Sequence, residues 1–151
     1  MYPDPEVVAF ISRTFVPVRA HVREQAEEYK KLAKRFDAPW TPTTLIVDSE
    51  DGTEKHRIEG FLPKEDYLAQ LRLGLGHAAF ARGRFADARE RFAEVLDRHP
   101  ESDAAPEAQY WTGVARYKET GDNAALLETG RSFTERFAGT VWAKKASVWL
   151  R

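Results

Sequence analysis

The sequence predicts an α/β region followed by an all-α region of helical hairpins, and three observations carry that division. Short β-branched runs alternate with charged helical stretches up to about residue 72. Beyond that point no strand pattern recurs. Instead, small and aromatic residues repeat at one fixed offset, which is how stacked helical units announce themselves.

The elements follow in chain order. Asp4 caps a short helix with Pro5 at its first position, and Val7, Val8, Phe10 and Ile11 supply its apolar side. Phe15 to Val22 is short, β-branched and partly alternating, so it is expected as a strand, with Pro17 near a strand start or edge because it donates no ladder bond. Residues 23–36 read as a surface helix with Ala26, Tyr29, Leu32, Ala33 and Phe36 at helical spacing. Thr43 to Val47 is the clearest strand, and Asp51-Gly52 turns the chain into a polar return strand, Thr53 to Glu59, with Ile58 inward. Pro63 then opens a helix containing Tyr67, Leu68 and Leu71.

The second region carries the repeat. Gly83 and Gly121 lie 38 residues apart, and the same offset relates Ala105 to Ala143, Ala108 to Ala146 and Trp111 to Trp149. Helices are expected to end near Gly83, to run from about Arg84 to His99, from near Asp103 to Gly121, and from about Asn123 to Phe137. Thr140 caps a last one bearing Trp142, Ala146 and Trp149. The division is placed between residues 1–72 and 73–151.

Composition narrows the function classes. A chain of 151 residues buries roughly 68–70% of its unfolded surface, enough for a core without staples. Its formal charge of −1, with both signs interspersed, argues against nucleic-acid and anionic-membrane surfaces. No apolar run approaches the roughly 18–20 residues of a membrane span, and Met1 to Pro5 has no leader-peptide pattern. The absence of cysteine removes thiol chemistry, a disulfide framework and a Cys-ligated metal from this chain together. The expected location is cytoplasmic, with no cofactor.

Familiar site patterns fail on spacing. His21, His56, His77 and His99 form no metal-binding pair. Asp48 to Glu59 places Thr53 where a calcium loop needs glycine. Gly74-x-Gly76-x-x-Ala79 continues a helix, whereas a dinucleotide fingerprint must follow a strand. Glu27-Glu28 lies on a charged, solvated face.

Leu75, Gly76, Gly83, Phe85, Ala88, Phe92 and Pro100 resemble the tetratricopeptide repeat, with Ala79 in place of its usual aromatic. A second unit keeps Gly113, Tyr117 and Gly121 but has Gly130 where an aromatic is expected. The first region, through Ala38-Pro39-Trp40-Thr41-Pro42-Thr43 and the strand after it, resembles the C-terminal part of a thioredoxin-like domain. That resemblance implies a partial βαββα sheet, a cis Thr41–Pro42 bond, and a loop whose backbone meets an extended substrate. It also implies that the first strand and the Cys-x-x-Cys segment are missing, as in an N-terminally truncated domain. Without that central strand two sheet edges lie open. Direct parallel pairing of the two strands through helix 23–36, or dimerisation, would close them.

The leading expectation is therefore a protein–protein interaction module without redox activity in this chain. The alternative is the C-terminal portion of a thiol–disulfide oxidoreductase whose cysteines lie upstream. Peptide-binding candidates are Trp40, Thr41 and Pro42, and, on an exposed concave helix face, Tyr110, Arg116 and Tyr117. Trp40 could instead pack in a buried turn, and Trp111 and Trp149 are assigned to packing. The partner is a protein or peptide, and homo-dimerisation through the incomplete sheet or the terminal helix is a further expectation.

Overall fold

Helix α1 (Pro5–Thr14) begins where Asp4 accepts hydrogen bonds from the amides of Glu6 and Val7, at 2.9 and 3.3 Å, and it buries Val7 and Phe10. These assignments come from a computed structural model that describes residues 4–151; Met1 to Pro3, part of the leader-peptide expectation, lie outside the described residues. Helix α2 (Ala26–Arg35) follows, then the strands β1 (Thr43–Val47) and β2 (Glu54–Glu59). Helices α3 (Lys64–Ala81), α4 (Phe85–Arg98), α5 (Ala105–Thr120), α6 (Ala124–Glu135) and α7 (Val141–Ala146) complete the chain with a short 3₁₀ turn, Ser147–Leu150. The architecture is a small α/β unit followed by helical hairpins, as its residue pattern predicts.

Two expectations need correction. Among the described residues the sheet has two strands, because Phe15 to Ala20 forms no regular structure and pairs with nothing. The β-branched pattern there is real, but Pro17 lacks a donor and no ladder partner stands beside the segment. Parallel pairing of this segment with β1 is accordingly not made. The surface helix also starts later than residue 23. The ring Nδ1 of His21 accepts from the amides of Arg23 and Glu24 at 3.3 and 3.1 Å, which holds a turn before α2.

β1 and β2 are antiparallel, with Thr44 opposite Ile58 and Ile46 opposite His56 and an irregularity between Ile46 and Val47. Ile46 and Ile58 turn towards α3 and join Val7, Phe10, Tyr67, Leu68 and Leu71 in the first core cluster. The second cluster contains Ala69, Leu73, Ala79, Ala88, Phe92, Val95 and Ala108. Helix α3 therefore supplies both cores.

Its sequence suits that position. Lys64–Ala81 contains no β-branched residue, has Glu65 and Asp66 in its first turn, and is apolar on more than one side. It ends in a Schellman motif. The amide of Gly83 (φ +73°) donates to Phe80, and the amide of Arg84 donates to Ala79 at 3.0 Å. Two interior glycines permit close contact on both flanks. A Cβ on Gly74 would meet Ile46 Cδ1 at 2.2 Å, and one on Gly76 would meet the Phe92 ring at 2.3 Å. The Phe92 ring meets the second with three of its atoms, and beside Ile46 Cδ1 the His56 Cβ stands 3.0 Å from the first.

Polar groups close the seam. His56 stacks on His77 of α3 with ring centroids 5.6 Å apart, and its Nε2 lies 2.7 Å from Gln70 Oε1. Arg82 clamps the end of β1, where its Nε donates to Asp48 Oδ2 at 2.7 Å and a second guanidinium nitrogen bonds Oδ1. The Arg82 hydrogen bonds hold the Asp48 carboxyl well below the usual carboxylate range. Burial pushes His56 below the ordinary imidazole value of 6.5, partly opposed by Gln70 and reinforced by His77.

Two outcomes follow from this packing. Gly76→Ala should destabilise the fold by about 1–3 kcal/mol, the usual cost of overpacking, measured by urea denaturation. An unchanged midpoint would show that Phe92 yields freely. For His56 the unfolded chain takes up its proton near 6.5 while the folded chain resists it. Its contribution is complete above that pH and is lost as pH falls from 6.5 through the depressed folded value. The melting temperature should therefore drop more between about pH 7.5 and about pH 5.5 in the wild type than in His56→Gln.

Candidate peptide-binding site

The loop from Ala38 to Pro42 joins a buried anchor to an exposed tip. Ala38 is buried, whereas Trp40 is 66% exposed, and Thr41 and Pro42 are exposed with it. Trp40 thus does not pack into the turn. The Thr41–Pro42 peptide bond is cis, as the resemblance implied. Thr43 Oγ1 donates to the Trp40 carbonyl at 2.7 Å, and the amide of Gly60 donates to the Pro42 carbonyl at 2.8 Å. The backbone on both sides of the bond is therefore tied down while the indole projects into solvent. An aromatic ring carried on a pinned backbone offers contact area with a reduced ordering cost.

The loop runs directly into β1. Beneath it, Arg57 of β2 donates to the carbonyls of Phe36 and Asp37, the second at 2.9 Å, and pairs with Glu54 and Glu59. These carboxylates raise the already high pKa of Arg57, so it remains a cation at any relevant pH. Phe61, 68% exposed, follows the hairpin.

The three candidates on α5 are separated by the structure. Tyr110 is half-buried and stacks on Trp149 at 4.7 Å, with Trp142 5.2 Å and Trp111 5.6 Å away. Its ring is largely engaged by the C-terminal helix, so it is not the exposed residue that the sequence suggests. Tyr117, also half-buried, lies two turns further along the same side of α5. Arg116 faces another way. It pairs with Glu128 of α6 and lines an open groove of about 290 Å³ with Gln109 and Ser132. Gln109 is nearly buried and donates to Ser132 Oγ at 2.8 Å.

Trp111 packs at right angles to His77 and Phe80, each about 5 Å away, in keeping with its assignment to packing. Its Nε1 is buried and has no hydrogen-bond partner. The four histidines form no common cluster, although His56 and His77 stack on each other. His21 caps a turn, His56 meets Gln70, His77 meets Glu107 at 3.0 Å, and His99 meets Glu65 and Arg72. The Arg82–Asp48 clamp was not visible in the sequence, since nothing in a charged pattern couples residues 34 positions apart.

Comparison with known families gives two matches. Residues 1–74 match the family model of a thioredoxin-like domain, and residues 73–135 match that of a tetratricopeptide repeat. No curated protein and no solved structure matches the chain. The two matches meet inside α3, the helix that packs on β1 and β2 with one flank and on α4 with another. The chain thus carries a thioredoxin-like domain followed directly by a tetratricopeptide repeat.

Proposed function

We propose that this chain is a protein-binding module, in which a thioredoxin-like scaffold and its helical hairpins recognise a protein or peptide partner. The observation that carries the reading is Trp40, 66% exposed on a loop whose backbone is pinned on both sides. A large aromatic on a scaffold is the residue type that dominates binding energy at interfaces. Tetratricopeptide repeats in general mediate protein–protein contacts, which supports the same conclusion. Thr41 and Pro42 belong to the proposed contact, and Tyr117, Tyr110 and Arg116 to a second one on α5 whose members face different ways. The chain as given carries no thiol and performs no disulfide exchange in this reading, and the setting we propose is the cytoplasm.

A second reading rests on the match of residues 1–74 to a thioredoxin-like domain. There the chain is the C-terminal portion of a thiol–disulfide oxidoreductase whose Cys-x-x-Cys lies upstream. The intact mass of the protein isolated from its source separates the two, because the oxidoreductase reading needs a larger species containing two cysteines. A third, compatible reading is self-association, through the incomplete sheet or through the terminal helix, where Val141 and Val148 are exposed while Trp142 and Trp149 pack on Tyr110. The solvent-exposed Val16 and Val18 favour the sheet.

The binding proposal is tested with peptides selected from a random library on the immobilised chain. Trp40→Ala should weaken the selected peptides at least about tenfold, equivalent to about 1.4 kcal/mol, by fluorescence polarisation. The circular dichroism spectrum should be unchanged, since Trp40 packs little. Equal affinity in the variant would remove the loop from the site. Insulin reduction by the chain should stay at the buffer rate, and a faster rate would overturn the absence of redox activity.

A further inference from the structure

Among the described residues the molecule has an open sheet edge and an apolar segment, residues 16–20, whose backbone pairs with nothing. The amide of Gly60 bonds the Pro42 carbonyl, and the amide of Asp48 bonds the Thr53 carbonyl at 2.9 Å. Backbone polar groups alternate along a strand, so Thr44 and Ile46 turn theirs towards β2, while Thr43, Leu45 and Val47 turn theirs to the opposite edge. Among the described residues no other strand pairs with β1. Open edges are normally blunted by charge, proline or a bulge. β1 is Thr-Thr-Leu-Ile-Val, with no charge and no proline, and the two-to-one mismatch in its ladder places the extra residue in β2.

The unpaired segment follows α1. Phe15 has φ −125° and ψ 162°, which is extended, and Val16 to Ala20 form no backbone–backbone hydrogen bond among the described residues. Val16 is 93% exposed and Val18 80% exposed, so the protomer's own sheet does not cover them. Pro17 fixes the phase. It lacks an amide hydrogen, so it must occupy a non-bonded position, and the bonding positions are then Val16, Val18 and Ala20.

We propose that two copies of this chain associate reciprocally through antiparallel pairing of residues 16–20 of one with β1 of the other. Val18 lies opposite Leu45, Val16 opposite Val47 and Ala20 opposite Thr43. Pro17 falls opposite Ile46, where no hydrogen bond is needed. All three bonded pairs place their side chains on the face of β1 turned away from α3, so the exposed valines join Leu45 and Val47 in one apolar stripe. Two ladders of this length are small beside the about 1,200–2,000 Å² of a standard interface, so the dimer is weak and concentration-dependent. This inference rests on the self-association reading and specifies its surface.

The cysteine-free sequence makes the test clean. Light scattering at increasing concentration should show the 17.2 kDa chain doubling in mass. Val16→Lys with Val18→Lys should raise the dissociation constant at least about tenfold, by loss of the apolar pairs with Val47 and Leu45 and the desolvation of two ammonium groups, with an unchanged circular dichroism spectrum. Mixing Val18→Cys chains with Leu45→Cys chains under oxidation should give a disulfide-linked pair, since bonded antiparallel partners lie about 5.5 Å apart at Cα, within disulfide range. Val18→Cys with Thr44→Cys, out of phase by one residue, should not cross-link. A strictly monomeric wild type overturns both this ladder and self-association itself. A dimer that survives the lysine substitutions and fails to cross-link overturns the ladder alone, leaving the terminal helix as the contact. A Val18→Cys/Leu45→Cys double variant that closes its disulfide within one chain overturns the two-copy arrangement.

Discussion

The structure depends on α3 being buried on two flanks at once. A helix with one apolar stripe can belong to only one core. Lys64–Ala81 instead sends Tyr67, Leu68 and Leu71 to the hairpin side, and Ala69, Leu73 and Ala79 to the helical side. Gly74 and Gly76 set how close each neighbour comes, one against Ile46 and the other against Phe92. The two modules consequently share a structural element with no linker between them, and the expected division at residue 72 falls inside this helix. The ion pair from Arg82 to Asp48 and the stacked His56 and His77 add orientation to that shared packing.

The same geometry explains why the second helical unit departs from the first. In the first unit Phe92 fills the space opposite Gly76. The position 38 residues after Phe92 is Gly130, and the C-terminal turn uses the room: a Cβ there would meet Leu150 and the Ala146 carbonyl at about 3.1–3.2 Å. The closing contact to α5 is kept at an offset of 37 residues from the first unit, with Thr129 against Gly113 as Phe92 is against Gly76. The aromatic mass lost from α6 is replaced across the hairpin by Tyr110, Trp142 and Trp149 packed on each other. A degenerate repeat is thus still a packed one, with bulk transferred between neighbouring helices.

Much of this was legible in the residues. The caps at Asp4 and Thr140, the turn at Asp51-Gly52 and the stop at Gly83 are local chemistry, so helices and hairpin appear close to where the pattern puts them. Residues 15–22 misled because strand propensity describes a surface that suits a ladder, and a ladder also needs a neighbour. Trp40 was legible as a residue of interest but not as an exposed one, because exposure depends on what the rest of the chain fails to place over it. Arg116 illustrates the remaining gap. Its helix was predicted, yet its direction is set by Glu128, twelve residues away on another helix.

Helix α2 shows what light tethering means for the native ensemble. It buries no side chain, and its links to the hairpin are polar: Arg57 to the carbonyls of Phe36 and Asp37, and Arg35 to that of Gly52 at 3.3 Å. The free energy that opens a helix locally scales with the contacts it must give up. Amide protons of residues 29–35 should therefore exchange with solvent through a sub-global opening, and those of α3, which belongs to both cores, more slowly by hydrogen-exchange measurement. A graded stability follows from this packing, with α3 the most protected helix and α2 held to the hairpin chiefly by polar links.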